Sequence, residues 1–482
     1  MAGIGFKLQK LFQEDYYSSR LKAYTFSGLV TSGPWLIVIL VVGTIQWLAF
    51  QMPTLSLAER TLFMISVSYA FIFSQILFSF QQLVVTRYVA DLFYEKKAHE
   101  IFPVFTGMLK VTILAAGLLY SIFWLLSPLD FLYKLTLFVL FMTINVIWVM
   151  FLFLSAAKYY QAVAYSFLLG GLISVGSVYA ISRLMVDPSS LELLLGFTVG
   201  MIVTLFGLFF AMLRTFPLRY AVKEFSYFKY FDRYPDLFAI GVLYVLGIWV
   251  TNFIIWFGEG RVIIADSFLF NPYYDTAIFW SYLTIIPTQL LFVVAVETRF
   301  YERYRTFYGL INYGGALHQI EKAKQTMTSV LKNELIRLAR SQGVVTLFAI
   351  LMAGVFVSWI GVPDEIGQIF RMTTLAAFAN AMILILTLLL LYFEDRRGAL
   401  FVNISFFTLN ALFTLLLLPR GIDWYGVGFA VSTTITFFLA GLRLIYYMGK
   451  VDYYVFAASN RRKLGTERFS QMGTLLNRRF SR

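Results

Sequence analysis

The sequence predicts an all-α polytopic membrane protein, with about 12 transmembrane helices in two pseudo-symmetric six-helix lobes. Three observations predict it. The 482 residues are 60% hydrophobic and only 13% charged, with a mean hydropathy of +0.75; a water-soluble domain does not have this composition. Apolar runs of roughly 20 residues recur along the chain, the length that crosses a hydrocarbon core as a helix. Two motifs also recur at one offset, 214: Gly33-Pro34-Trp35 returns as Gly247-Ile248-Trp249, and Gln75-Ile76-Leu77-Phe78 returns as Gln289-Leu290-Leu291-Phe292. Each repeat carries an even number of spans, so both halves take the same orientation, related by an axis along the membrane normal.

In chain order, residues 1–23 place Ile4, Leu8, Leu11 and Phe12 at helical spacing with Lys7 and Lys10 on the other face. That is a cytosolic amphipathic helix lying on the membrane. The N-lobe, 24–213, holds spans at 24–50, 62–86, 103–126, 132–155, 162–184 and 191–213. The first run is long and lacks a small-residue cleavage site, so it reads as a retained anchor. A cytosolic linker follows at 214–235. The C-lobe, 236–448, holds spans at 236–257, 276–296, 342–360, 366–392, 398–419 and 424–448. Within it, the loop 297–341 carries an apolar stripe through Leu317, Ile320, Met327, Leu331 and Leu338. Lys322, Lys324, Lys332, Arg337 and Arg340 lie largely off that stripe. This basic amphipathic helix either rests on an anionic leaflet or docks a cytosolic partner. The tail, 449–482, is basic and cytosolic, suited to a membrane surface or a partner.

Orientation follows from Lys and Arg. With both termini cytosolic, 32 of the 39 fall in inner segments and six in outer ones, leaving Lys110 inside span three. The asymmetry sets the topology. It also accounts for the net charge of +13 without a nucleic-acid partner.

Span one opens on Phe26-Ser-Gly-Leu-Val-Thr-Ser-Gly-Pro-Trp35. Proline removes a backbone donor, so Gly33 and Pro34 mark a bend or hinge, or a close-packed site. Pro287 does the same in span eight. A bilayer tolerates freed carbonyls only where protein or a watery cavity meets them.

Catalytic motifs are missing from the sequence, and an enzyme is the least expected class. There is no nucleotide-binding G-x-x-x-x-G-K-[ST] loop, no Asp-x-Asp pair and no cysteine. The two histidines, His99 and His318, fall in polar connections, so no metal site or cofactor is expected. Lys110 either snorkels to the inner surface or faces a cavity. No carboxylate sits at mid-membrane in this reading. Uncharged polar and aromatic residues do: Trp35, Gln75, Asn145, Trp249, Asn252, Tyr282, Gln289 and Asn380 are the candidate path residues with Lys110. Each could instead join helices by hydrogen bonds. With 51 Phe, 30 Tyr and 9 Trp, the chain is rich in rings that stack on sugar faces. Such a lining suits a neutral glycan.

Several segments resemble the PelG family of Pel exopolysaccharide export proteins. They are Met1-Ala-Gly-Ile-Gly-Phe6, Ala23-Tyr24, Ser27-Gly-Leu29 and Ser32-Gly-Pro-Trp35. They continue with Asn271-Pro-Tyr-Tyr-Asp275, Ile286-Pro287, Glu297-Thr298, Phe300-Tyr301, Phe307-Tyr308, Gly314-Gly315 and Ile320-Glu321. The resemblance implies a polysaccharide-flippase-like fold of the MOP/MATE type. It implies a bacterial inner-membrane transporter of an N-acetylgalactosamine-rich polymer for biofilm. It also implies two partners, a cytosolic glycosyltransferase and a membrane protein that senses cyclic di-GMP. It assigns no binding residues. The rivals are a non-conducting scaffold that recruits the glycosyltransferase and a small-molecule exporter of the same superfamily.

Overall fold

The computed structural model describes residues 33–185, 187–216, 223–294, 300–458 and 467–480. The predicted N-terminal amphipathic helix, the segment 26–32 and residues 461–463 of the tail lie outside the described residues. Among the described residues, eleven helices are long and apolar enough to cross a membrane. The chain is a multi-pass membrane protein.

Its helices divide between two compact units. In the first, α1 (Gly33–Phe50), α2 (Leu57–Tyr94), α3 (Ile101–Leu126), α4 (Phe131–Ala156), α5 (Tyr160–Leu184) and α6 (Ser190–Thr215) follow one another. Short α7 (Lys229–Arg233) leads to α8 (Pro235–Ile255), whose residues up to Trp249 belong here. Ser56 caps α2 through the Glu59 N–H, and Ser189 with Glu192 forms a capping box on α6. Glu59 Oε2 also accepts from the Ser190 N–H at 2.7 Å, tying the starts of α2 and α6 together. Close contact of α5 and α6 is built from small residues. A Cβ on Gly200 would lie 2.3 Å from the Gly170 carbonyl oxygen, and one on Gly207 would meet Ser166. Without a hydrophobic drive between helices in lipid, such backbone approach supplies the packing energy.

A two-stranded ribbon in the same unit departs from the all-helical expectation. Val262–Ile264 (β1) pairs antiparallel with Phe268–Phe270 (β2). The turn puts Ala265 and Asp266 at φ 48° and 46°, the twist that suits a tight hairpin. No Asn-Gly or Asp-Gly announces it. Tertiary contact holds it: Tyr69 Oη donates to the Leu269 carbonyl at 2.7 Å and accepts from its N–H at 3.0 Å.

In the second unit lie α9 (Pro272–Leu283), α10 (Ile286–Val294), α11 (Tyr301–Asn312), α12 (Leu317–Ile360), α13 (Asp364–Tyr392), α14 (Arg396–Leu417), α15 (Val427–Gly449) and α16 (Val451–Ala458). Helix α13 is the core, buried along most of its length and packed on α9, α12, α14 and α15. Asp395 caps α14 and grips the Arg443 guanidinium of α15 with both oxygens, at 2.7 and 2.8 Å. A buried carboxylate needs such a fork.

Two expected spans change form. The amphipathic stretch and span nine are one helix, α12, of 44 residues. At 1.5 Å per residue it runs about 66 Å, against a hydrocarbon core of about 30 Å. Ile320, Met327, Leu331 and Leu338 are buried, and α11 packs against α12. Leu317, at the start of the stripe, is exposed, and the rest of the stripe is used within the chain. Span eight, read as one helix over 276–296, is instead α9 and α10 with a break between them. That is why 11 continuous spans are found where 12 are expected.

Candidate functional site

The break in span eight lies against α13, the core of the second unit. Asn271 caps α9 and Pro272 opens it, the order that helix starts favour. The Asp275 carboxylate then ties three donors: Asn252 Nδ2 at 2.7 Å, Trp256 Nε1 at 2.8 Å and the Asn271 N–H at 2.9 Å. All three are neutral. Asn271 Nδ2 donates in turn to the Glu259 carbonyl at 2.9 Å. This knot joins the end of α8 to the start of α9.

Helix α9 ends at Leu283, and α10 restarts at Ile286 with Pro287 in its first turn. The N–H of Thr288 turns to the Ile285 carbonyl, which releases the Thr284 carbonyl. Gln342 Nε2 of α12 takes it at 3.1 Å and also donates to Thr346 Oγ1 at 3.2 Å. The Thr288 hydroxyl donates to Gln342 Oε1. One glutamine therefore satisfies the broken backbone, as lipid requires. Just before the break, Ser281 Oγ shares hydrogen bonds with Thr373 and Thr374 at 2.7 and 3.1 Å. Tyr282 Oη accepts from Asn380 Nδ2 at 3.4 Å, and Ile285 packs on Ala377 and Ala381. Asn380 Oδ1 is buried with no partner among the described residues. Nearby, Thr251 Oγ1 donates to Asn410 Oδ1 at 2.8 Å, and Ser432 does so at 3.3 Å.

The first unit has its own polar line. Trp249 Nε1 donates to Gln75 Oε1 at 2.9 Å. These two residues come from the two motifs of the internal repeat. At the residue before Gln75, Trp148 Nε1 donates to Ser74 Oγ at 3.1 Å, and its ring stacks on Phe78 at 5.7 Å. Gln81 donates to Thr112 at 3.1 Å and accepts from Tyr227 Oη at 3.0 Å.

Of the residues singled out from the sequence, the structure thus pairs Trp249 with Gln75, and Tyr282 with Asn380. Asn145 is buried and turns its amide to the Phe141 carbonyl of its own helix at 2.8 Å, leaving Oδ1 without a partner among the described residues. Asn252 is held by Asp275. Lys110 Nζ lies 2.5 Å from Glu224 Oε2 in the segment before α7. The Glu224 carbonyl presses on Gly107, where a Cβ would be 2.3 Å away. Trp35 and Gln289 are half-buried, and Gly33 and Pro34 are buried at the start of α1. Pro287 stands at the break. Lys322, Lys332, Arg337 and Arg340 are exposed, whereas Lys324 bridges Asp452 at 2.8 Å and the Gly449 carbonyl at 3.0 Å.

Sequence reading missed Asp275, Trp256, Gln342, Thr288 and Glu224. For Asp275 a signal existed: Asn271-Pro272 opens a helix, and an acid four residues on can reach back to the cap N–H. Gln342 and Glu224 had none, since their partners lie 54 to 58 and 114 residues away.

A family model described as "PelG: Putative exopolysaccharide Exporter (EPS-E)" matches residues 1–456. The chain belongs to the PelG family. PelG-family membership agrees with the likeness to solved structures, which shows the fold. The eukaryotic MATE transporter AtDTX14 superposes with a TM-score of 0.58 at 13% identity, covering 93% of this chain and 100% of that one. The Vibrio cholerae MATE transporter VcmN in the bent form gives 0.60 at 10% identity, covering 94% and 100%. A MOP superfamily transporter from Pyrococcus furiosus gives 0.52 at 13%, covering 88% and 95%. No curated protein matches the chain. This PelG-family chain is a membrane transporter of the MATE/MOP fold, with about 12 helices when the broken α9–α10 pair is taken as one span.

Proposed function

We propose that the protein translocates a Pel-like, N-acetylgalactosamine-rich polysaccharide across the bacterial cytoplasmic membrane, as the polymer leaves a cytosolic glycosyltransferase. The match of residues 1–456 to an exopolysaccharide-exporter family carries this reading. The chemistry of the polar residues favours it. Each unit holds a ring paired with an amide, Trp249 with Gln75 and Tyr282 with Asn380. Sugar faces stack on rings and sugar hydroxyls bond amides. A transporter rather than an enzyme fits both family and fold.

Both termini are placed in the cytosol by the Lys and Arg asymmetry. On that placement the exposed cations Lys322, Lys332, Arg337 and Arg340 face the cytosolic glycosyltransferase, and a cyclic-di-GMP-sensing membrane protein completes the assembly. The broken span eight is the moving element, or else one wall of a continuous conduit.

Deleting the gene and locating the polymer with an N-acetylgalactosamine-binding lectin, outside cells and in lysates, tests this. Loss of surface polymer with intracellular glycan still made supports translocation. Loss of both, with the glycosyltransferase now soluble, favours the scaffold reading. Unchanged surface polymer sinks the Pel assignment, and altered drug efflux in its place would point to small-molecule export.

A further inference from the structure

The tail returns to the first unit. Helix α17 (Arg468–Phe480) begins under Asp232, whose carboxylate accepts from the N–H groups of Phe469 at 3.2 Å and Ser470 at 2.7 Å. A carboxylate there satisfies the free donors and the helix dipole. Asn477 Oδ1 accepts from the Phe225 N–H at 2.9 Å, and the Phe469 ring lies 5.6 Å from Phe231. Gly473 sets the spacing, because a Cβ on it would sit 2.8 Å from the Phe225 carbonyl oxygen.

Beside this contact an open cleft of about 330 Å³ is lined by Lys223, Lys229 and Arg478, with Ser470, Thr474 and Asn477 on its wall. That volume lies at the low end of small-ligand sites. Among the described lining residues three are cationic and none is acidic. The acids nearby are already engaged. Asp232 serves the helix start, Glu224 pairs with Lys110 at 2.5 Å, and Glu95 pairs with Lys97 at 2.6 Å. Lys229 is held over the Tyr88 ring at 5.5 Å, and Tyr88 Oη is fixed by Ser226 Oγ at 2.8 Å. Its ammonium is thus positioned over rings, and the acid whose charge it reaches, Glu95, is the one already paired with Lys97.

We propose that this cleft binds a phosphate-bearing anion, contacted by the ammonium groups of Lys223 and Lys229 and the Arg478 guanidinium. Cations on two lysines and a planar fork match phosphate oxygens, and the hydroxyls supply donors. Because Lys223 and Lys229 belong to the inter-helix linker and Arg478 to α17, the bound anion clamps the tail onto the linker. The anion comes from a lipid headgroup or from the diphosphate of a soluble nucleotide.

The test uses the purified full chain in nanodiscs. Inorganic pyrophosphate is titrated by calorimetry in zwitterionic discs, and phosphatidylglycerol retention is counted by native mass spectrometry in mixed discs. Losing two charge-assisted contacts weakens binding at least about tenfold, so Lys223→Gln with Lys229→Gln loses it. Arg303→Gln with Arg305→Gln removes equal charge from exposed sites on α11 and leaves binding unchanged. Pyrophosphate binding that depends on the two lysines identifies a soluble diphosphate. Lysine-dependent lipid retention alone identifies a headgroup. If neither probe separates wild type from the double variant, the proposal is overturned. The two lysines are exposed, so size-exclusion profiles stay unchanged; hydrogen exchange of α17 amides, slowed by the bound probe in wild type only, is the second readout. Binding is measured on isolated protein, so a failure here does not bear on polysaccharide export.

Discussion

Trp249 and Gln75 illustrate what a single polar contact does within the helices. Intramembrane hydrogen bonds between helices average about 0.6 kcal/mol. Trp249→Phe and Gln75→Leu therefore each lower the melting temperature in detergent. The double variant melts no lower than the weaker single, because both remove the same bond. Independent, additive losses would show that the two side chains do not interact. Asp275 is a stronger case. It accepts from three donors and gives none, so Asp275→Asn turns one accepting oxygen into a donating NH₂ among N–H groups. We expect a loss of about 1–3 kcal/mol, read as a lower yield of monodisperse protein. Wild-type yield and melting would mean that the knot is dispensable. Asp275 was visible in the sequence as part of Asn271-Pro-Tyr-Tyr-Asp275 but not as a knot. Local spacing shows the helix start, whereas Asn252 and Trp256 come to it only through the fold.

At the scale of elements, the packing of α5 on α6 and the break in span eight carry opposite requirements. The first needs no space at Gly200. Gly200→Leu forces the helices apart, and overpacking costs about 1–3 kcal/mol or more; size-exclusion and thermal melting check it. The second needs Gln342. Gln342→Leu strands the Thr284 carbonyl and lowers stability by about 1–3 kcal/mol. Pro287→Ala does the reverse, since it restores a backbone donor near the break. The expected outcome is unchanged or higher melting with reduced surface polymer, and full export by that variant would remove the break from the transport cycle. Helix α16 offers a pH readout outside the spans. Partial burial pushes the Asp452 carboxyl up, but the Lys324 side chain and backbone N–H groups pull harder and hold it below its ordinary value. Its contribution is therefore complete above the usual carboxylate range and is lost as pH falls below it. Protection of the α16 amides, taken relative to their intrinsic base-catalysed exchange, should stay constant from pH 8 to 6 and fall only in strong acid.

For the molecule as a whole, orientation is the first property to check. A phosphatase reporter fused after Ala458 is expected to be inactive and one inserted at the Ala265–Asp266 turn active; the reverse pattern would overturn the cytosolic placement of the tail.

Eleven of the spans were legible in the sequence because a bilayer acts on each helix separately. Any run of roughly 20 apolar residues satisfies it, whatever the rest of the chain does. The positive charges between runs argue orientation on the same local terms. The two motifs at one offset could be read from the sequence, and in the fold a hydrogen bond joins Trp249 of one motif to Gln75 of the other. Tertiary structure alone decided three things. It split span eight, because Gln342, more than 50 residues on, takes the carbonyl that the break releases. It fused the basic loop with span nine into α12, because most of the stripe is buried within the chain, where α11 and other helices pack on α12, and does not need a membrane surface. It brought the tail back onto the linker, because Asp232 waits for the first N–H groups of α17. Each depends on a partner remote in sequence, and hydropathy, which sums over neighbours, does not register such partners.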